Sequence, residues 1–296
     1  MKPDAIAVSP SSSRLADLAV LTKVRLNALV VATAVGGYYL AAPDGVGPLA
    51  IVIAGVGTAL VAAGAAALNQ VSERDIDRQM ERTRLRPVAD GRMGPTEGFI
   101  TGASLAAFGV VLLWVGTNAL AAAIALATLV IYAWVYTPLK RWTSLSTIVG
   151  AVPGALPPLI GWAAARGSIS GVAPWTLFLL MFLWQLPHFL AISWMCRDDY
   201  RQAGLPMLSV IDRDGAMTGR QAALWAATLV PFSVLPFLVL AHETYAIVGA
   251  LVLGAGLLGT ALRFAIDRTD ATARWLFLGS ITYLPLLWAL LCVART

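Results

Sequence analysis

Nine apolar runs, each long enough to cross a bilayer, follow one another along this chain at approximately 26–42, 49–71, 99–117, 119–137, 145–165, 174–196, 222–241, 245–262 and 275–292. A membrane-spanning helix needs roughly 17–25 predominantly apolar residues. None of the runs alternates in the manner of a strand, so a β-barrel is disfavoured. One such run could be a buried helix of a soluble protein. Nine in succession require lipid on their outer faces. The composition agrees: 12% of the 296 residues are charged, against roughly 25% in a soluble globular chain. The expected fold is all-α, a polytopic membrane protein of nine transmembrane helices in one bundle, forming a single domain over 1–296.

The loops test this count. With the N-terminus in the cytoplasm, all but Arg166 and Arg295 of the 21 Lys and Arg residues fall on the inner side. This is the asymmetry of the positive-inside rule. The net charge of +5 therefore reflects loops at a membrane face, and no nucleic-acid partner is expected. The odd number of spans puts the C-terminus outside. Residues 1–25 read as a cytoplasmic or interfacial segment, with a short helix over 15–25. They fit neither a signal peptide nor a mitochondrial presequence, which favours a bacterial plasma membrane. Gly254-x-Gly256-x-x-Gly259 lies within an apolar run rather than after a strand, so it reads as helix packing, not as a dinucleotide loop.

All but Asp44 and Glu243 of the 16 acidic residues lie on the inner side as well. Topology needs only Lys and Arg, so these acids point to chemistry at a cytoplasm-facing cavity. They gather with polar neighbours in three places. In the first, Asn69, Glu73 and Asp77 are spaced four residues apart. Each step of four turns a helix by about 40°, so the three share a stripe about 12 Å long, with Asp75 pointing away. Carboxylates at the mouth of a span need partners. They could hold Mg²⁺ jointly with a phosphate, or pair with Arg74, Arg78 and Arg82 along the helix.

The second cluster holds Trp184, Gln185, Pro187 and His188, then Asp198 and Asp199. Eleven residues separate His188 from Asp199, which puts both on one face of a continuous helix about 16 Å apart. Pro187 is expected to kink it. His188 is either a functional group facing the bundle interior or a histidine bonded to a neighbouring helix. His242 is expected to be inert. Lys140 and Arg141 form the third cluster, after Tyr136-Thr137-Pro138. Adjacent cations can grip a diphosphate. On composition alone, however, topology anchors beside Trp142 are the commoner case. With two histidines and two cysteines, a multi-histidine metal site or a disulfide framework is not expected.

These strings resemble the UbiA-type intramembrane polyprenyltransferase superfamily and, within it, the heme-farnesylating branch. The superfamily signal is Asn69-x3-Glu73-x3-Asp77 with Arg82-Thr83-x-x-Arg86-Pro87. Tyr136-Thr-Pro-Leu-Lys140-Arg141 and Asp199-Tyr-x-x-Ala-Gly204 resemble the superfamily too, and the branch signals are Leu156-Pro-Pro-Leu-Ile-Gly-Trp162 and Trp184-Gln-x-Pro-His188. Three positions depart from the pattern. Glu73 stands where an Asp is common, and Cys196-x3-Tyr200 replaces the second Asp-x3-Asp motif. Near the first span, Lys23-Val24-Arg25 replaces the usual Lys-Pro-Arg.

The resemblance implies farnesyl transfer from farnesyl diphosphate to heme b in the lipid bilayer, with Mg²⁺ as cofactor. It implies Asn69, Glu73, Asp77 and Asp199 as metal ligands and catalytic groups. Arg74, Arg78, Arg82, Lys140 and Arg141 would bind the diphosphate, and His188, Trp184 and Gln185 the heme. A downstream heme-modifying enzyme is a candidate partner. Two rival readings stay open: prenylation of a quinone-type aromatic acceptor, and a secondary transporter, although no inverted repeat is visible.

Overall fold

The computed structural model describes residues 13–42 and 47–295. The first twelve residues, with Lys2, and the loop residue Asp44 lie outside that description, so the expectations placed on them are not addressed.

The described residues contain helices and no strands. In chain order these are α1 (Arg14–Leu21), α2 (Val24–Ala41), α3 (Pro48–Asp77), the single turn α4 (Pro87–Asp90), α5 (Pro95–Gly116) and α6 (Ala119–Val130). A π-turn over Ile131–Tyr136 then leads into α7 (Thr137–Leu139), followed by α8 (Ser146–Ala155), α9 (Pro157–Arg166), α10 (Ala173–Met195), α11 (Arg197–Gln202) and α12 (Leu208–Ile211). The last four are α13 (Ala216–Phe232), α14 (Leu235–Leu240), α15 (Thr244–Asp267) and α16 (Asp270–Ala294).

Nine helical segments among the described residues are long and apolar enough to cross a membrane, one for each run found in the sequence. The chain is a multi-pass membrane protein. Three of the nine segments are compound. The fifth breaks at Leu156 because Pro157 and Pro158 have no N–H to continue the ladder. The seventh breaks after Phe232, between Pro231 and Pro236. The fourth widens into the π-turn before it ends. Broken backbone is tolerated at membrane depth where protein covers it, and Pro157 to Ala163 are all buried.

The chain divides into two compact units, one made of the residues up to Ser168 together with Asp199–Leu205, the other of Ile169–Asp198 and the residues from Pro206 onward. In the first unit α3 is central and packs against α2, α5, α6 and α9. Lipid is as apolar as leucine, so close backbone approach rather than water exclusion holds such helices together. Gly161 of α9 lies so near α2 that a methyl group there would collide with the Ala34 carbonyl oxygen. At 30 residues, α3 is about 45 Å long, more than the ~30 Å hydrocarbon layer. Its last turns therefore extend beyond the apolar run and carry Glu73 and Asp77, with Asn69 near the run's end.

The short helix expected over 15–25 is α1, and it is clamped rather than merely interfacial. The Gln70 amide donates to the carbonyls of Val20 (2.8 Å) and Leu21 (2.9 Å), and Arg92 pairs with Asp17 at 3.0 Å. In the second unit α10 packs against α13 and α16, and α15 against both of these. Of the three glycines in the Gly254 string, only Gly254 lies at a helix contact, where a methyl would come 3.3 Å from Val230. Nothing lies within 4 Å of Gly256 or Gly259, so the packing reading holds for one residue of the three.

Candidate functional site

The stripe expected on α3 is present. Asn69, Glu73 and Asp77 are all buried, and Asp75 is exposed on the other side. Buried charges persist only when paired, and each polar group of the stripe meets a different cation. Asp77, 0% exposed, takes both oxygens to Arg86 Nη1, at 3.0 and 2.9 Å. Glu73 Oε1 accepts from Lys140 Nζ at 2.8 Å. Asn69 Oδ1 accepts from Lys23 Nζ at 3.2 Å, while Asn69 Nδ2 donates to Thr137 Oγ1 at 3.0 Å.

Local structure explains how these partners arrive. Thr83 Oγ1 donates to the Asp77 carbonyl, closing the end of α3. The following turns bring Arg86 back just before Pro87 opens α4. Lys140 ends α7 and lies over the Tyr136 ring, 4.7 Å from its centroid. Lys23 sits between α1 and α2 with φ 49°, in the left-handed region. That conformation costs a non-glycine residue roughly 1–2 kcal/mol, and it turns the chain so that the ammonium reaches α3. Burial, reinforced by repulsion from Arg86 and Lys140, pushes the Lys23 pKa down to about 7 against the pull of Glu73 and Asp77. Burial also opposes the charge on Lys140, but the adjacent Glu73 carboxylate outweighs it and the Lys140 pKa is raised.

The remaining expected residues are placed as follows. Arg74 and Arg78 turn to the exposed Asp75, at 3.4 and 3.5 Å, and not to the stripe. Arg82 is half-buried on the turn after α3. Arg141 donates to the Ser72 carbonyl at 3.0 Å in an exposed position. The expectation of one continuous helix from His188 to Asp199 fails: α10 stops at Met195, Cys196 leaves helical geometry, and Asp199 belongs to α11. Asp199 is buried and groups with the first unit, whereas His188 belongs to the second. Through Pro187, α10 runs without a break.

Around His188 the second unit builds an aromatic stack. The ring lies against Trp184 (5.0 Å, 20°) and Phe277 (5.2 Å, 24°). Ser280 Oγ is 2.8 Å from His188 Nδ1 and itself donates to the Phe277 carbonyl at 2.7 Å. Trp184 Nε1 donates to the Ser280 carbonyl at 2.8 Å, and Gln185 Nε2 to the Met181 carbonyl at 3.0 Å.

Lys23 and Arg86 stood in the strings that carry the resemblance, but neither was given a role in the site. Arg86 was one of several arginines in a single run, and only the turn after α3 selects it. Lys23 carried one signal, its place in Lys23-Val24-Arg25 just before the first span. The oxygens of Asn69, Glu73 and Asp77 are hard donors already turned toward cations, a set that suits Mg²⁺ shared with a phosphate. Among the described residues no three His, Cys, Asp or Glu side chains form a protein-only metal cage.

Residues 29–290 match the model of the UbiA prenyltransferase family. A protein of Anaeromyxobacter sp. (strain Fw109-5), known as protoheme IX farnesyltransferase, is 44% identical over 95% of each chain. One of the same name from Solibacter usitatus is 40% identical over 93% of this chain and 97% of its own. The fold is similar to that of a digeranylgeranylglyceryl phosphate synthase structure (TM-score 0.77, 16% identity, covering 95% of this chain and 98% of the other). It is also similar to that of a UbiA homolog from Archaeoglobus fulgidus bound to GPP and Mg²⁺ (TM-score 0.64, 15% identity, 93% and 99%).

Proposed function

The chain belongs to the UbiA prenyltransferase family, and from that premise we propose that it transfers the farnesyl group of farnesyl diphosphate to a vinyl group of heme b. Water adds to the resulting cation, giving heme O and diphosphate. The observation that carries the diphosphate chemistry is the pairing of two buried carboxylates and an amide on one helix stripe with three cations from separate segments. Similarity to the heme-farnesylating relatives over nearly the whole chain supports the acceptor.

In this reading Asn69, Glu73, Asp77 and Asp199 hold Mg²⁺ against the diphosphate. The ion, when bound, neutralises charge that grows on the leaving oxygens. Lys140, Arg86 and Lys23 then face the diphosphate as preorganised donors. Arg74 and Arg78, on the exposed side, together with Arg82 and Arg141, form an outer ring that draws the anion in. The buried surroundings keep water from the allylic cation until the vinyl carbon attacks it. His188, held by Ser280 through Nδ1, is the candidate ligand to the heme iron, with Trp184 and Gln185 orienting the porphyrin. The protein resides in a bacterial plasma membrane with its N-terminus and acidic stripe cytoplasmic and its C-terminus outside.

The test is extraction of hemes from membranes expressing the chain, separated by reversed-phase chromatography and identified by mass, beside Asp77→Ala. A heme O peak present with the native sequence and absent from the variant is expected. Well-inserted protein that makes no heme O when supplied with heme b and farnesyl diphosphate overturns the heme assignment.

A further inference from the structure

The fourth span ends in a π-turn, and Thr137 follows it directly. The wider turn sends both the Thr137 N–H and the Thr137 hydroxyl (2.8 Å) to the Tyr132 carbonyl. Thr137 is 1% exposed. With its single proton committed to Tyr132, Oγ1 can only accept from the rest of the site. What it accepts is Asn69 Nδ2. On the opposite side of the same amide, Oδ1 accepts from Lys23 Nζ. The two neighbours therefore impose one orientation: nitrogen toward Thr137, oxygen toward the cation. Turned over, the amide would give up the Lys23 N–H and aim its oxygen at the lone pairs of a hydroxyl.

We propose that Thr137 is a positioning residue for metal–diphosphate binding: its hydroxyl, aimed by the π-turn carbonyl of Tyr132, locks the Asn69 amide with Oδ1 turned to the side that meets cations. This rests on the reading of Asn69 as a Mg²⁺ ligand. An amide ligates a hard cation only through oxygen, so a flipped Asn69 does not merely lose a ligand but opposes the ion. Partners that orient a ligand typically change metal affinity by about 10–100-fold. π-turns recur at functional sites, and this one supplies the carbonyl that fixes the Thr137 proton.

The test measures Mn²⁺ binding to the purified full chain by electron paramagnetic resonance, with farnesyl thiodiphosphate present as a slowly reacting diphosphate. Thr137→Val is expected to weaken Mn²⁺ binding by about 10–100-fold, and Thr137→Ser to stay within about threefold of the native chain. Thr137→Ala must repeat the Val result, which covers the case in which the branched side chain unsettles the π-turn. The decisive arm is Asn69→Asp. A carboxylate has two equivalent oxygens and no orientation to lose, so adding Thr137→Val to that background should cause no further weakening. Unchanged Mn²⁺ affinity in Thr137→Val, or the same loss in both backgrounds, overturns the positioning role while leaving the metal site standing. If the native chain takes up no Mn²⁺ with the diphosphate analogue, the metal reading of Asn69 falls and this inference falls with it.

Discussion

Glu73 keeps 8% of its side-chain surface exposed and Lys140 keeps 17%, so neither charge is solvated by water to any extent. Removing one partner of such a pair leaves the other stranded, which typically costs about 3–5 kcal/mol, whereas replacing both by apolar groups is often close to neutral. Lys140→Met alone is therefore expected to lower the Tm in detergent markedly. Glu73→Leu combined with Lys140→Met should recover most of that stability while heme O formation stays absent. A double variant as unstable as the single one would show that Lys140 acts through contacts other than Glu73. This pairing was only half visible beforehand. The four-residue spacing put Glu73 on the stripe, and the doublet Lys140-Arg141 admitted both an anchor and a phosphate grip. The fold separates the two cations: Lys140 turns in to Glu73, while Arg141 reaches the Ser72 carbonyl.

Among the helices, small residues matter where they meet backbone and not where they merely recur. Gly161 on α9 and Gly256 on α15 look alike as glycines in apolar runs, yet a methyl on the first would strike the Ala34 carbonyl and on the second would meet nothing. Overpacking costs about 1–3 kcal/mol, while alanine is better than glycine in a helix interior by about 1 kcal/mol. Gly161→Ala should thus lower the Tm and Gly256→Ala leave it unchanged or raise it, as read by thermal unfolding in one detergent. Equal effects would contradict the α2–α9 contact. The prolines behave in the same position-dependent way. Pro157 and Pro158 divide the fifth span, yet Pro187 sits inside an unbroken α10.

For the molecule as a whole, charge distribution sets the expected topology. Alkaline phosphatase fused after Ala294 should be active, because that end is expected outside, and a fusion in the loop after Lys140 should be inactive. The reverse pattern would place the acidic stripe on the wrong side for a cytoplasmic diphosphate. The nine spans were legible because a bilayer imposes a length and an apolar composition on every helix that crosses it, and both are one-dimensional properties of the chain. The stripe of Asn69, Glu73 and Asp77 was legible because helical periodicity is local. The break at Cys196, which separates Asp199 from the helix of His188, was not, since the residues after it, Arg197 to Gln202, are themselves helical and nothing in their order marks where one helix stops and the next begins. Nor were the partners of the stripe. Lys23 and Thr137 come from distant segments and Arg86 from the turn after α3, and their choice over Arg74, Arg78 and Arg82 depends on where turns and a π-turn place them around α3. Periodicity tells which side of a helix a residue occupies; what waits on that side is a matter of packing between helices far apart in the chain.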